Sequence, residues 1–233
     1  MKLIICLSFC IIFFTVSSAK AEPQPIISTL KDYKASVKLN DKNEMINLKQ
    51  IIPDIIFDLK YSTTNNFTKR KLYKSASTTY LRKDAAAALL LIHEYLKNMG
   101  LGLKIFDAYR PYSVTKLMWA IIHDKRYVAN PVNGSGHNKG IAVDITLVNL
   151  TTAKELNMGT AFDNFTDTAH HSFTKNLSPE IIANRVLLKS TMEKFGFKSL
   201  ETEWWHYYWK SNEIYDVMDI NFKILNKRIN YYF

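Results

Sequence analysis

Both cysteines of this chain, Cys6 and Cys10, stand within its first ten residues. They belong to an apolar run, residues 3–16, that follows a basic start and precedes an Ala-Lys-Ala sequence at 19–21. This order is typical of a secretory signal peptide, and the run is too short to span a bilayer, so we expect residues 1–21 to direct export to the periplasm or the medium and then to be removed. The remaining 212 residues have no disulfide and no thiolate metal ligand. Their fold must therefore depend on a hydrophobic core.

The composition is that of a folded domain. Apolar residues make up 47% of the chain and aromatic residues 13%, with only 7 Gly and 6 Pro, which excludes disordered, collagen-like and low-complexity classes. A chain of this size supports one domain, which we place at residues 51–233. Residues 22–50 are polar and weakly patterned, so we expect them to form an extended N-terminal arm.

The basic charge does not indicate a nucleic-acid partner. The formal net charge is +10, or +8 without Lys2 and Lys20 of the leader, but no basic cluster is longer than residues 69–71. A nucleic-acid-binding domain is expected to gather its basic residues on one face or in a recognised motif. The pattern predicts a mildly basic surface and no membrane span after removal of the leader. It does not indicate an oligomeric state.

Hydrophobic periodicity predicts an α+β fold. Helical patterns cover residues 82–99, 113–122 and 184–195, and strand patterns cover residues 103–108, 140–148 and 204–209, with a short edge strand inside 51–61. Helices and strands alternate in short segments, so we expect one domain with a small, mainly antiparallel sheet and helices around it.

Chemically useful side chains concentrate in two segments. The first is Ser-Gly-His-Asn-Lys-Gly-Ile-Ala-Val-Asp at 135–144, where His137 lies in a glycine-rich loop and Asp144 follows on a strand beside small Ala142. The second is Glu-Trp-Trp-His at 203–206. Two imidazoles and two carboxylates suit Zn²⁺ held by three protein ligands with one position open, and the remaining carboxylate would then act as general base.

Plainer interpretations of the same residues exist. A histidine in a turn is usually solvated, and Glu203 could be a surface acid beside aromatic core residues. Asp144 is harder to explain in this way, because aspartate is disfavoured in strands and costly to bury unpaired. Residues three apart on a regular strand also point to opposite faces, so Glu203 and His206 can address one ion only if the segment twists, bulges or makes a helical turn.

The ordered motifs carry a family resemblance. The pattern S-x-H-x-x-G-x-A-x-D at 135–144, followed by E-x-W-H at 203–206, resembles the zinc D-alanyl-D-alanine peptidases. Further segments resemble the D-Ala-D-Ala dipeptidase branch, which includes the vancomycin-resistance dipeptidases; they are Asp-Ala-Tyr-Arg-Pro at 107–111, Met-Gly-Thr-Ala-Phe-Asp at 158–163, His-His at 170–171 and Tyr-Ser-Thr-Thr-Asn-Asn-Phe at 61–67. The similarity extends over roughly residues 50–215.

This resemblance implies an activity and a set of roles. It implies hydrolysis of the D-alanyl-D-alanine dipeptide to two D-alanines with one Zn²⁺ per chain, and it makes Glu203 the general base and Arg110 the group that stabilises the developing oxyanion. The implied zinc ligands are His137, Asp144 and His206, and the implied substrate-binding residues are Ser135 near the carboxylate, Asp163 near the ammonium group, and Tyr61. Whether His170 or His171 reaches the cleft stays open.

Three other functions are compatible with parts of the pattern. A zinc D,D-carboxypeptidase would act on longer peptidoglycan stem peptides, whereas Asp163 favours a free dipeptide because only a dipeptide presents a charged nitrogen there. A non-catalytic wall-binding module would need neither Glu203 nor Arg110. A serine acyl-transfer enzyme is suggested by S-x-x-K at 113–116 and 172–175, but neither S-D-N nor K-T-G follows.

Overall fold

The computed structural model describes residues 25–74 and 76–229, so the predicted signal peptide and both cysteines lie outside the described part of the chain. The helices are α1 (Leu30–Leu39), α2 (Leu48–Ile51), α3 (Lys83–Lys97), α4 (Tyr112–Ile121), α5 (Gly136–Lys139), α6 (Pro179–Lys194) and α7 (Phe222–Ile229). The strands are β1 (Ile26–Ile27), β2 (Met45–Asn47), β3 (Ile56–Phe57), β4 (Tyr80–Arg82), β5 (Leu101–Asp107), β6 (Ala142–Asn149), β7 (Phe197–Leu200), β8 (Glu203–Trp209) and β9 (Val217–Met218).

The main sheet has five strands in the order β3-β5-β6-β8-β7. Only the edge strand β3 runs parallel to its neighbour, and the other three pairings are antiparallel. Two small ribbons stand apart from this sheet, β2 with β4 antiparallel and β1 with β9 parallel. The predicted α+β class and mainly antiparallel sheet are confirmed.

Because side chains alternate along β6, the two faces of this central strand lie in different environments. Val143, Ile145 and Leu147 are fully buried in a core shared with α3 and α6. Burial of each such side chain contributes roughly 1.5–3 kcal/mol, so this face fixes the strand register. The opposite face carries Ala142 and Asp144, which are also buried, and Asp144 lines the pocket described below.

The predicted helices are present with shifted ends. The alanine- and leucine-rich α3 stops before Gly100, whose φ of +71° is a backbone conformation that favours glycine. Helix α6 begins five residues earlier than its apolar periodicity predicted, because the Ser178 hydroxyl accepts a hydrogen bond from the Ile181 N–H and Pro179 occupies the first turn.

The N-terminal segment differs from the expected extended arm. Thr29 caps α1 by accepting a hydrogen bond from the Asp32 N–H, and Tyr33 and Val37 on one helix face join an aromatic core cluster. The Tyr33 hydroxyl, fully buried, accepts a hydrogen bond from the Met45 N–H at 2.7 Å. The apolar residues Leu30, Tyr33 and Val37 lie at i, i+3 and i+7, but they stand in a short polar segment and give a weak sequence signal, which explains why the helix was not predicted.

Within residues 25–74 and 76–229, no helix combines the length and apolar character that a membrane crossing requires.

Candidate metal centre and substrate pocket

Three metal-binding side chains converge from separate elements. His137 lies on α5, and Asp144 and His206 are directly opposite each other on β6 and β8. The His206 Nδ1 is 2.9 Å from the Asp144 Oδ1 and 3.2 Å from the His137 Nε2, and the His137 Nε2 is 3.4 Å from the same Asp144 oxygen. All three ligand atoms lie within 4.8 Å of one another. Two imidazole nitrogens and a carboxylate oxygen aimed at one point are a donor set that suits Zn²⁺.

The local fold determines which nitrogen of His137 faces this point. His137 lies in the short helix α5 and not in the predicted glycine-rich loop, because Ser135 and Asn138 form a capping box that closes one helical turn. The His137 Nδ1 is 2.7 Å from the Ala108 carbonyl oxygen, to which it can donate. That bond leaves the Nε2 lone pair free for a cation, the arrangement usual for a metal-binding histidine.

An irregularity between β7 and β8 resolves the spacing of Glu203 and His206. Ser199 on β7 pairs with Tyr207, but the next residue, Leu200, pairs with Glu203, so β8 contributes extra residues to the ladder. Such a bulge rotates the strand and re-aims its side chains. As a result the Glu203 Oε2 is 3.9 Å from the His206 Nδ1, although the two residues are three positions apart.

The two carboxylates of this region have opposite electrostatic environments. Burial alone would raise the pKa of Asp144, but the imidazoles of His137 and His206 outweigh it and hold that pKa well below its usual value. Burial, reinforced by the negative charge of Asp144, raises the pKa of Glu203 to about 8. The pKa of Glu203 is therefore sensitive to any positive charge placed beside Asp144.

Arg110 is held at the pocket by a buried carboxylate. Its Nε donates to the Asp107 Oδ2 at 2.9 Å, and its Nη2 forms an ion pair with the same oxygen at 2.8 Å and lies 3.8 Å from the Asp144 Oδ2. The Asp107 Oδ1 accepts a hydrogen bond from the Tyr73 hydroxyl at 2.6 Å. The guanidinium also lies over the ring of Tyr61, with its central carbon 5.2 Å from the ring centroid. The Arg110 guanidinium is thus immobilised, with its Nη2 directed toward Asp144, one of the three candidate metal ligands.

Asp163 lies in the same cavity. The Tyr61 hydroxyl is 3.1 and 3.3 Å from its two carboxylate oxygens. Burial, with a further contribution from Asp144, raises the pKa of Asp163 well above its ordinary value. Arg110 partly offsets this effect. An ammonium group bound beside Asp163 would lower the pKa of its carboxyl further, because it would supply an opposite charge.

The cavity has a volume of about 310 Å³ and is lined by all eight residues of the predicted site. Among the residues that line it are Tyr61, Arg110, Ser135, His137, Asp144, Asp163, Glu203 and His206. Ser135 contributes a hydroxyl whose oxygen also accepts the Asn138 N–H at 3.1 Å. Within the described residues, neither His170 nor His171 lines this cavity; His171 lies in a smaller pocket beside α6.

The S-x-x-K sequence at 113–116, which suggested the serine acyl-transfer alternative, does not form a serine–lysine pair. The Ser113 hydroxyl donates to the Asp219 carboxylate at 2.7 Å, whereas the Lys116 ammonium lies 5.0 Å from the ring centroid of Tyr112. A serine nucleophile needs a base within hydrogen-bond reach, and Lys116 is directed elsewhere.

Comparison with known proteins identifies the family. The profile described as D-ala-D-ala dipeptidase matches residues 41–224. The chain belongs to the D-ala-D-ala dipeptidase family. It is similar to the D-alanyl-D-alanine dipeptidase of Escherichia coli (strain K12), with 34% identity over 72% of this chain and 86% of that protein. The corresponding protein of Enterococcus faecium is 31% identical over 69% of this chain and 88% of its own length.

A solved structure overlaps this dipeptidase-family fold loosely. The LdcB LD-carboxypeptidase superposes with a TM-score of 0.41 at 23% identity, over 68% of this chain and 66% of that chain. The family membership therefore rests on the profile and on the curated relatives, and it makes this chain a peptidase.

Sequence reasoning missed part of the supporting structure of this family member. The motif at 107–111 gives Asp107 no role of its own, although a charged residue that ends an apolar strand is a usable signal. Asn138, which donates to the Arg110 carbonyl and the Thr115 hydroxyl, both at 2.8 Å, was also missed. Tyr73 carries no local signal, since its partner Asp107 is distant in sequence.

Proposed function

We propose that this protein is a zinc-dependent dipeptidase that hydrolyses D-alanyl-D-alanine to two D-alanines. The observation that carries the proposal is the convergence of His137, Asp144 and His206 beside Glu203 and Arg110 in one cavity. The family membership supplies the substrate class, because the curated relatives are named D-alanyl-D-alanine dipeptidases.

One zinc ion per chain would be held by His137, Asp144 and His206. When bound, zinc supplies Lewis-acid polarisation of the scissile carbonyl and activation of water near neutral pH. The three side chains are well suited to hold it because they bring a single negative charge and because the Ala108 carbonyl orients His137. His137 and Asp144 are buried, and His206 is partly buried.

Glu203 is the proposed general base. Its carboxylate takes a proton from the attacking water and later delivers it to the leaving amino group, which requires the ionised form at the start of each turnover. The pKa of about 8 that burial and Asp144 impose falls when a cation offsets the charge of Asp144. A cation bound beside Asp144 would therefore increase the ionised fraction of Glu203 near neutral pH.

Arg110 is the proposed oxyanion donor. Its guanidinium is fixed by Asp107 and lies in a buried site, where a preorganised donor stabilises developing charge far better than in water. The expected contribution of one such donor to kcat is on the order of 10²–10³.

A free dipeptide is the proposed substrate form. Asp163, oriented by Tyr61, would pair with the substrate ammonium group, and Ser135 would donate a hydrogen bond to the substrate carboxylate. In a longer stem peptide the corresponding nitrogen is an uncharged amide, which would leave the Asp163 carboxylate without a cation. Sites built around a polar partner reject analogues that lack it far more strongly than an apolar pocket rejects a change in size.

The proposed cellular location rests on the predicted signal peptide. We propose that residues 1–21 export the enzyme, so that it acts outside the cytoplasm on dipeptide from wall turnover or salvage. Active full-length protein found only in a cytoplasmic fraction would contradict this part of the proposal.

The metal and base roles are separated by two substitutions. His206→Ala removes one of three ligands and should abolish most zinc binding, measured by elemental analysis after dialysis. Glu203→Gln keeps the shape of the side chain and should retain one zinc per chain while turnover of D-Ala-D-Ala falls by about 10²–10⁴. Equal zinc loss in both variants would contradict the assignment.

The alternatives are tested with the wild-type enzyme. A chelator should abolish activity and a β-lactam should not, which distinguishes metal catalysis from serine acyl transfer. D-Ala-D-Ala should be cleaved much faster than its N-acetylated form or a wall pentapeptide. Equal rates would favour a D,D-carboxypeptidase, and zinc binding without turnover of any of these would favour a wall-binding module.

A further inference from the structure

The loop that carries Asp163 has an unusual backbone. Asp163 has a φ of +60°, in the left-handed region that non-glycine residues adopt at a cost of roughly 1–2 kcal/mol. Aspartate tolerates this region better than most residues, but such a conformation persists only where the surroundings hold it. The carboxylate can therefore stay beside Tyr61 only if the loop is fixed on both sides of Asp163.

One side chain joins the two halves of this loop. Arg185, on α6, is 4% exposed, and its Nε donates to the Met158 carbonyl at 2.7 Å. Its Nη2 donates to the Thr168 carbonyl at 2.8 Å and its Nη1 to the His170 carbonyl at 3.1 Å. Met158 and Thr168 stand five residues before and five residues after Asp163. Arg185 therefore closes the loop at its base.

The chemistry of this contact requires arginine. A guanidinium has five donors in a rigid planar fork and can reach three carbonyls at once, whereas a lysine ammonium is a point charge on a flexible stem. Within the described residues, no carboxylate lies within ion-pair distance of Arg185. The carbonyls of this loop are thus the groups that offset the desolvation of its charge.

Other contacts anchor the first half of the loop. The Trp204 Nε1 donates to the Thr160 hydroxyl at 2.7 Å, and the ring of Phe162 contacts those of Phe106 and Trp205, at centroid distances of 4.8 and 5.4 Å. These contacts precede Asp163 in sequence. The hydrogen bonds from Arg185 to the Thr168 and His170 carbonyls hold the second half of the loop. The backbone conformation of Asp163 therefore depends on the contacts before it and on those after it.

We propose that Arg185 is a positioning residue that determines specificity, because it holds the Asp163 carboxylate where a free N-terminal ammonium group can pair with it. This inference rests on the proposed function, in which Asp163 recognises that group. Arg185 itself touches no substrate: it acts through the backbone of the loop. Its loss should therefore weaken binding of the charged terminus and leave the hydrolytic step largely intact.

The test compares kcat and KM for D-Ala-D-Ala and N-acetyl-D-Ala-D-Ala in wild type, Arg185→Lys and Arg185→Ala. In both variants KM for the free dipeptide should rise about 10- to 100-fold, because a displaced carboxylate loses part of its pairing with the ammonium group, while kcat changes by less than about threefold. The kcat/KM for the N-acetylated dipeptide should stay near the wild-type value. Discrimination, the ratio of kcat/KM for the free dipeptide to that for the N-acetylated one, should therefore decrease. Arg185→Lys keeps the charge but not the fork, and it should lose nearly as much discrimination as Arg185→Ala.

Arg82 provides a matched control. It is fully buried, and its guanidinium donates to three backbone carbonyls, those of Lys139, Asn43 and Asp216. Arg82→Lys should lower Tm to a similar extent as Arg185→Lys. Because it does not touch the Asp163 loop, it should change the kcat/KM of both substrates by the same factor and preserve discrimination.

The outcomes separate this inference from the proposed function. If the wild type cleaves both substrates equally well, ammonium recognition by Asp163 is wrong, whatever Arg185 does. If the wild type discriminates and Arg185→Lys, assayed well below its own Tm, retains that discrimination, the positioning role is overturned. An equal narrowing in Arg82→Lys would also overturn it, since the effect would then be one of general destabilisation. Should Arg185→Ala fail to fold, Arg185→Lys decides alone.

Discussion

Replacing Asp107 by asparagine tests how much the pocket depends on one buried charge. Asp107 is fully buried, and its carboxylate accepts three hydrogen bonds, from the Tyr73 hydroxyl, the Ala108 N–H and the Arg110 Nε, while its Oδ2 also lies 2.8 Å from the Arg110 Nη2 in an ion pair. An asparagine side chain has one acceptor oxygen and no charge. Whichever way its amide is turned, two of these donors lose their partner and the buried guanidinium loses its counter-ion.

The expected cost follows from this arrangement. Removing one member of a buried ion pair typically costs about 3–5 kcal/mol, because the other charge stays buried and uncompensated. Since Arg110 is then free to reorient toward Asp144, 3.8 Å away, we expect kcat for D-Ala-D-Ala to fall by about 10²-fold. Zinc content should not change, because Asp107 is not among the three converging donors.

The assay combines urea unfolding, zinc analysis and steady-state kinetics, with Tyr73→Phe as the matched control. That variant removes one hydrogen bond to the same carboxylate and should cost only about 1 kcal/mol. Burial raises the pKa of Asp107, an effect opposed by Arg110. If Asp107→Asn costs no more than Tyr73→Phe and retains kcat, the carboxyl is neutral in the folded protein and the ion-pair argument is refuted.

Two further predictions concern stability. Burial lowers the pKa of His171 to about 4 from 6.5, so between those pH values the proton binds mainly to the unfolded chain. The free energy of unfolding should therefore fall by up to about 3 kcal/mol as the pH falls from 6.5 to 4. His171→Gln should reduce that loss in urea titrations. Gly140→Ala should lower the free energy of unfolding by more than Gly100→Ala, because both glycines have a φ of +71° but only at Gly140 would the new Cβ meet the Met45 side chain, at 2.7 Å. Equal losses in the glycine variants would mean that backbone strain alone matters.

Much of the site was predictable from local patterns. The alternation along residues 140–148 predicted the strand that presents Asp144, and the motif at 203–206 predicted an acid and a histidine close together. Both signals are short-range, because side chains alternate with a period of two on a strand. The class of fold followed from the same periodicities.

The rest depends on pairings that no single segment encodes. The change in pairing partner from Tyr207 to Glu203 depends on β7 and β8 together. The sequence of β8 alone therefore could not show how Glu203 and His206, three positions apart, come to lie on the same side. The three carbonyls bound by Arg185 lie 15 to 27 residues from it along the chain. A buried arginine on a helix with a weak apolar stripe gives no local sign of such a role.

The parallel ribbon of β1 and β9 has a consequence for how the chain reaches its final form. Ile26 pairs with Val217 and Ile27 with Met218, so two-residue segments about 190 residues apart are joined, with one further bond from the Asp219 N–H to the Ile27 carbonyl. Closing so long a loop for so few contacts is entropically unfavourable until the intervening domain has already brought the ends together. The first strand should therefore dock last in folding, after synthesis of nearly the whole chain, and it should be the first to exchange its amide hydrogens with solvent.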